Sequence, residues 1–167
     1  MNSTQRIICI CSGNICRSPM AVAMLRYKLD RRQVPAMVIS GGTLGIQGRR
    51  ADEFARLAIA ERSEAMREAI DEHRSQGIST QMLKMADHLM VMAPRHARYV
   101  HQHAPPLLKR VVRLWEYADG EKRLSKIPDP VGQDAEVFRL CRNLIENCLD
   151  NWLDEAFGAQ RSSESSS

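Results

Sequence analysis

Cys11-Ser12-Gly13-Asn14-Ile15-Cys16-Arg17-Ser18, entered through Ile7-Ile8-Cys9-Ile10 and left through Pro19, is the stretch on which the fold turns. The residues leading into Cys11 are continuously apolar, as expected of a short strand buried on both faces in a parallel sheet. Ser12-Gly13-Asn14 reads as a tight turn in which Gly13 supplies the unusual backbone angles. Beyond it Ala21, Met24, Leu25 and Leu29 recur at helical spacing, with Ser18 placed to cap the helix and Pro19 to open it. The opening unit is a strand, a loop and a helix.

The same alternation continues outward. Ala36 to Ser40 is a second apolar run, closed by Gly41-Gly42, and Asp52 to Asp71 reads as one long helix. A short helix from Ser79 to Ala86 precedes the apolar run His88 to Met92. Arg110 to Trp115 offers one more strand and Gln133 to Phe157 one more helix. Strands alternating with helices predict an α/β fold with a parallel sheet covered on both faces, because each right-handed crossover needs a helix.

At 167 residues the chain has room for one domain with its own core. We expect that domain over residues 1–158 and a serine-rich, disordered tail over 159–167. Hydrophobic residues make up 44% and charged residues 26%, which excludes a disordered or fibrous chain. The net charge of +4 is mild and aromatics are only 5%, so nucleic acid is not an expected partner. No apolar run approaches the roughly 18 residues of a spanning helix, and the first strand leaves no room for a signal peptide. The expectation is a cytoplasmic protein with no membrane partner.

Five cysteines, at positions 9, 11, 16, 141 and 148, are odd in number and three crowd one segment, which is not a disulfide framework. Zinc is disfavoured as well: no second ligand pair follows, and His101 and His103 lie two apart, a spacing that on a helix would point them to different faces. Cys141 and Cys148 share the helical stripe Val137, Cys141, Leu144, Ile145, Cys148, Trp152. Seven residues along a helix is about 10 Å, beyond the roughly 7 Å a disulfide tolerates, so these two read as core.

The chemistry therefore belongs to the loop. Backbone N–H groups that turn inward between a strand and a helix N-terminus make an anion site suited to phosphate. The same field favours the thiolate of Cys11. Arg17 can grip two phosphoryl oxygens with its planar fork, and Ser18 can donate a hydrogen bond to the sulfur. No Gly-Lys-Ser/Thr follows, so a nucleotide-binding loop is disfavoured. A thiolate attacking phosphorus needs an acid for the leaving group. Asp129, in Ile127-Pro128-Asp129-Pro130, stands on a stiff loop suited to that task.

These residues resemble the low-molecular-weight protein tyrosine phosphatase family, whose signature is Cys-x-Gly-Asn-x-Cys-Arg-Ser-Pro followed far downstream by Asp-Pro. The match extends to Ser40-Gly41-Gly42-Thr43, His73-Arg74-Ser75, Val91-Met92 and Glu116-Tyr117, over residues 6 to 157. The resemblance implies a three-layer α/β/α domain with a four-stranded parallel sheet and a phosphate-binding loop after strand 1. It further implies a metal-free, cofactor-free reaction in which Cys11 attacks phosphorus and Asp129 is first acid and then base. It makes Asn14 a residue held by Ser40 and His73, and Cys16 a thiol able to bond to an oxidised Cys11. The implied partner is a phosphorylated protein with a cognate kinase, and the implied state a monomer or weak homodimer.

Departures bear on the substrate. Tyrosine-specific members follow Asp-Pro with aromatic residues and carry an aromatic near Ile46, whereas this chain has Val131-Gly132 and Ile46. Aliphatic pocket walls forgo ring stacking of about 0.5–1.5 kcal/mol per pair. Asp-Pro-x-Gly resembles relatives that dephosphorylate arginine, yet those carry threonine where this chain has Ile15, the tyrosine-phosphatase choice. Ala93 stands where the family commonly has aspartate, and the helix before His73 is longer than usual. Phosphotyrosine is the leading substrate and phosphoarginine the alternative. Thioredoxin-coupled arsenate reduction is a third reading, weakened because its cysteine pair would have to be Cys141 and Cys148 and because Pro19 replaces the usual glutamine. A phosphate-binding module without turnover is a fourth, disfavoured by the presence of nucleophile, arginine and aspartate together.

Overall fold

The computed structural model describes residues 3–158; the tail expected over 159–167 lies outside the described residues. Ten regular elements follow one another as β1 (Gln5–Cys11), α1 (Arg17–Arg31), β2 (Ala36–Gly42), α2 (Glu53–Ala60), α3 (Glu64–Asp71), α4 (Thr80–Met85), β3 (His88–Val91), α5 (Pro94–His103), β4 (Val111–Arg113) and α6 (Ala135–Phe157). Short 3-10 helices at Pro105–Arg110 and Leu114–Tyr117 flank β4.

All strand pairs are parallel and the order is β2-β1-β3-β4. Ile7 through Cys11 are buried without a break. Successive strand residues point to opposite faces, so that run requires helices on both sides of the sheet. The chain leaves β1 for β2 on one side and returns to β3 on the other. That reversal opens a crevice at the C-terminal end of β1, where α/β sheets bind ligands. There Cys11 lies opposite Gly42 of β2, and Ile10 opposite Val91 of β3. The loop after β1 is thus flanked by the ends of both neighbours.

Helix α6 buries Phe138, Cys141, Ile145, Cys148, Leu149 and Trp152. Cys141 and Cys148 are free thiols inside that stripe, each pushed up to about 12 by burial, as packed core thiols should be. Among the described residues no helix is long and apolar enough to cross a membrane.

Several elements differ from the sequence expectation. The strand expected over Arg110 to Trp115 is confined to Val111–Arg113, with Arg110 and Leu114-Trp115 taken into the flanking 3-10 helices. The single helix expected over Asp52 to Asp71 is two, because Ser63 stops the first and caps the second by accepting from Met66 N at 3.1 Å. Helix α5 was not anticipated: Arg95, Arg98, His101 and His103 crowd its sequence and obscure the short buried stripe of Ala97 and Val100.

Candidate active site

Cys11 ends β1 with 3% of its surface exposed, and the next five residues curl into the start of α1. That helix begins at Arg17, two residues before the expected start, and Cys16 occupies its N-cap with no side-chain cap. Ser18 does not cap; its hydroxyl lies 2.9 Å from Cys11 Sγ. Pro19 is accommodated because a first-turn residue has no intrahelical use for an N–H. The uncapped N–H groups of this turn are free for an anion placed over the sulfur.

Asn14 holds the loop together. It is fully buried and left-handed, at φ 58°, and every polar atom it owns is used. Its main-chain N–H donates to Cys11 Sγ (3.3 Å), and its side-chain amide donates to Ser18 Oγ and Ser40 Oγ (both 2.8 Å). Its side-chain oxygen accepts from Gln76 N (2.9 Å), and its carbonyl from His73 Nε2 (2.7 Å). Because Ser18 Oγ accepts from Asn14, its own proton is available for the sulfur, which collects two donors. Burial lowers the pKa of His73, and the nearby Arg26 and Arg74 cations add to that, although the bond to Asn14 opposes it. The neutral ring still donates, since a carbonyl can only accept.

Gly13 does not play the part expected of it: the left-handed residue is Asn14, and a methyl group on Gly13 would make ordinary contacts with Ile46 and Ile15 at 3.7–3.8 Å. The glycine the loop requires is Gly42, where an added Cβ would stand 2.6 Å from the Ser12 carbonyl oxygen. The Gly41-Gly42 pair was the visible signal for that close approach.

Arg17 is nearly buried and faces the acid loop. Its Nη1 donates to the Ile127 carbonyl (3.0 Å) and its Nη2 to Asp129 Oδ2 (3.3 Å). The other Asp129 oxygen accepts from Val131 N at 3.1 Å. The loop is fastened to the sheet by Ile127 N on Met92 O (2.8 Å), and the Cys141 thiol reaches Pro128 O at 3.7 Å. The segment 43–52 runs along the phosphate loop through Thr43 N to Cys11 O, Leu44 N to Ser12 O and Asp52 N to Ile15 O. Ile46 sits half-buried beside Gly13, while Val131 is 60% exposed and Leu44 67% exposed. Cys16 is buried with its thiol free, and burial together with Asp52 and Asp129 pushes that thiol up.

His96 was not anticipated at all. It is fully buried, with its Nε2 3.0 Å from Ser12 Oγ. No sequence spacing links it to the loop, because β3 and the sheet pairing bring it there.

Comparison with known proteins places this geometry in a family. Residues 6–163 match the family described as low molecular weight phosphotyrosine protein phosphatase. The low molecular weight protein-tyrosine-phosphatase Ptp of Acinetobacter johnsonii is 31% identical over 148 residues, covering 89% of this chain and 95% of that protein. The protein-arginine-phosphatase of Geobacillus stearothermophilus is 29% identical over 147 residues, covering 87% and 91%. Among solved structures, Vibrio vulnificus Wzb in complex with benzylphosphonate superposes with a TM-score of 0.76 at 25% identity, covering 92% of this chain and 99% of that one.

Proposed function

Because the chain belongs to the low molecular weight phosphotyrosine protein phosphatase family, we propose that it hydrolyses phosphorylated protein side chains, phosphotyrosine foremost, through a cysteinyl phosphate. The observation that carries this reading is Cys11 Sγ under two donors, on the loop that leads into Arg17, whose guanidinium fork already spans the acid loop.

In the first step the Cys11 thiolate attacks phosphorus in line, the bond from phosphorus to the leaving oxygen breaks, and Asp129 gives that oxygen a proton. The phosphoryl group takes over the Arg17 fork, which tightens as charge develops on the equatorial oxygens. Loop N–H groups at the start of α1 hold the same oxygens. In the second step Asp129 takes a proton from water, the water oxygen bonds to phosphorus, and the sulfur–phosphorus bond breaks to release phosphate and the thiolate. Ser18 stabilises the sulfur at both ends of the cycle, and Asn14, Ser40, Gln76 and His73 keep the loop in shape.

Phosphoarginine is the second reading. It is favoured by Val131-Gly132 after the aspartate and by the arginine-phosphatase relative, while Ile15 favours tyrosine. The proposed setting is the cytoplasm, opposite a protein kinase, with the enzyme as a monomer or weak homodimer. The test is hydrolysis of p-nitrophenyl phosphate in EDTA by the native protein and Cys11→Ser, then phosphotyrosine against phosphoarginine peptides. Turnover abolished by Cys11→Ser supports the thiolate mechanism. Native protein that is reduced yet inert refutes it.

A further inference from the structure

His96 takes no part in the steps above, yet it is fully buried against the residue that follows the candidate nucleophile. Both ring nitrogens are engaged. Ala93 N donates to Nδ1 at 3.0 Å, and Nε2 faces Ser12 Oγ at 3.0 Å. A main-chain N–H can only donate, so Nδ1 is the bare nitrogen and the neutral ring carries its proton on Nε2. Nε2–H therefore donates to Ser12 Oγ. Burial pushes the His96 pKa down to about 3, with the Arg17 and Arg95 charges assisting, which keeps the ring neutral and its tautomer constant at working pH.

The consequence falls on Ser12. With its oxygen accepting from His96, the hydroxyl proton has no other partner among the described residues, and the side chain is only half-buried. An uncommitted O–H donor is thus held next to Cys11, with one lone pair of its oxygen occupied by His96. The placement also closes a gap in how the loop is supported. Ser40, Gln76 and His73 grip Asn14, with Ser40 on β2 and the Gln76 carbonyl accepting from Gly42 N at the end of that strand. His96, in the first turn of α5 beyond β3, grips Ser12 from the opposite neighbour of β1.

We infer that His96 is a positioning residue for phosphoryl transfer, acting through Ser12: it fixes the hydroxyl as a donor to the bound oxyanion and steadies the first N–H of the loop. The inference rests on the phosphatase reading. The competing role is a plain cap, since Ala93 N is satisfied by the same ring.

Two isosteres separate the roles. His96→Asn keeps an acceptor near the Nδ1 position and loses the reach to Ser12. His96→Gln reaches Ser12 with an amide N–H and surrenders the cap. With p-nitrophenyl phosphate as substrate and vanadate as the oxyanion probe, His96→Asn and Ser12→Ala should each lower kcat/KM and weaken vanadate about tenfold, as expected for a hydrogen bond to a charged group. The double variant should be no worse than either single one, because both remove one interaction. His96→Gln should stay within about threefold of wild type even if its Tm falls. Ser12→Ala leaves the core packing untouched and keeps the test decisive if a His96 variant folds poorly. Wild-type vanadate affinity in Ser12→Ala, or losses that multiply in the double variant, would overturn the inference. Wild-type protein that neither turns over nor binds vanadate would instead overturn the phosphatase reading on which it rests.

Discussion

Substituting alanine for Gly42 places a methyl carbon 2.6 Å from the Ser12 carbonyl oxygen and 3.1 Å from both N and Cβ of Asn14. Carbon–oxygen contacts settle near 3.3 Å, so the loop and β2 must separate by about 0.7 Å. Main-chain atoms cannot rotate away as a side chain can, and the displaced segment is the one that carries Asn14 and the donors to Cys11. Overpacking of this kind costs about 2 kcal/mol, or roughly 4–8 °C in Tm for a chain of this size. The catalytic cost should be larger in proportion, because misplacement approaching 1 Å can lose ~100-fold in rate. Gly42→Ala is expected to lose about 10- to 100-fold in kcat/KM on p-nitrophenyl phosphate. Gly41→Ala is the internal control: its Cβ would meet Ile78 Cδ1 at 2.5 Å, the far end of a side chain that can give way. It should lower Tm comparably and leave kcat/KM within about threefold. Wild-type kcat/KM in Gly42→Ala, or equal losses in both variants, would refute the argument that the loop's main chain is what Gly42 protects.

Asp129→Ala should slow a poor leaving group such as phenyl phosphate by about 10²- to 10⁴-fold and p-nitrophenyl phosphate by much less; equal slowing of both would remove Asp129 from the acid role. Iodoacetamide at neutral pH should modify Cys11 first, protected by phosphate, while Cys9, Cys16, Cys141 and Cys148, whose pKa values are raised, stay unmodified by mass spectrometry. Labelling of Cys141 or Cys148 at a similar rate would contradict the packing described. Acid should destabilise the native protein through His96. Its folded pKa near 3 lies below the ordinary 6.5, so between those values the unfolded chain binds the extra proton and stability falls as pH falls. The slope from His96 is ~1.4 kcal/mol per pH unit, with His73 and His88 shifting in the same direction. A Tm that stays flat from pH 6.5 to 4.5, or a His96→Gln variant as acid-sensitive as wild type, would count against this.

The departures from the sequence expectation follow one pattern. Ser18 was expected to cap α1 because serine before proline commonly does so, yet its hydroxyl is drawn to Cys11 Sγ and Asn14. Gly13 was expected to take the left-handed angles because glycine does so at no steric cost. Asn14 takes them instead, because its bond to Ser40 and those from Gln76 and His73 hold it there. Ile46 lies against the loop beside Gly13, and Val131 is exposed on the loop that carries Asp129. Asn14, Ser40 and His73 do converge, and Arg17 does meet Asp129.

What the sequence by itself determined is what short-range physics decides. The apolar run into Cys11, the inward turn of the loop and the alternation of strands with helices follow from backbone hydrogen bonding and side-chain period, and they suffice to place the phosphate site after β1. Only the tertiary structure decided which atoms support that site. Gly42, Gln76 and His96 are 31, 65 and 85 residues from Cys11 in the chain; the Gly41-Gly42 pair marks a tight spot without saying what approaches it, and Gln76 and His96 carry no local mark of their role. They reach the loop because β2 and β3 pair on either side of β1, and a contact made by sheet pairing across such distances leaves no periodicity for a sequence to show.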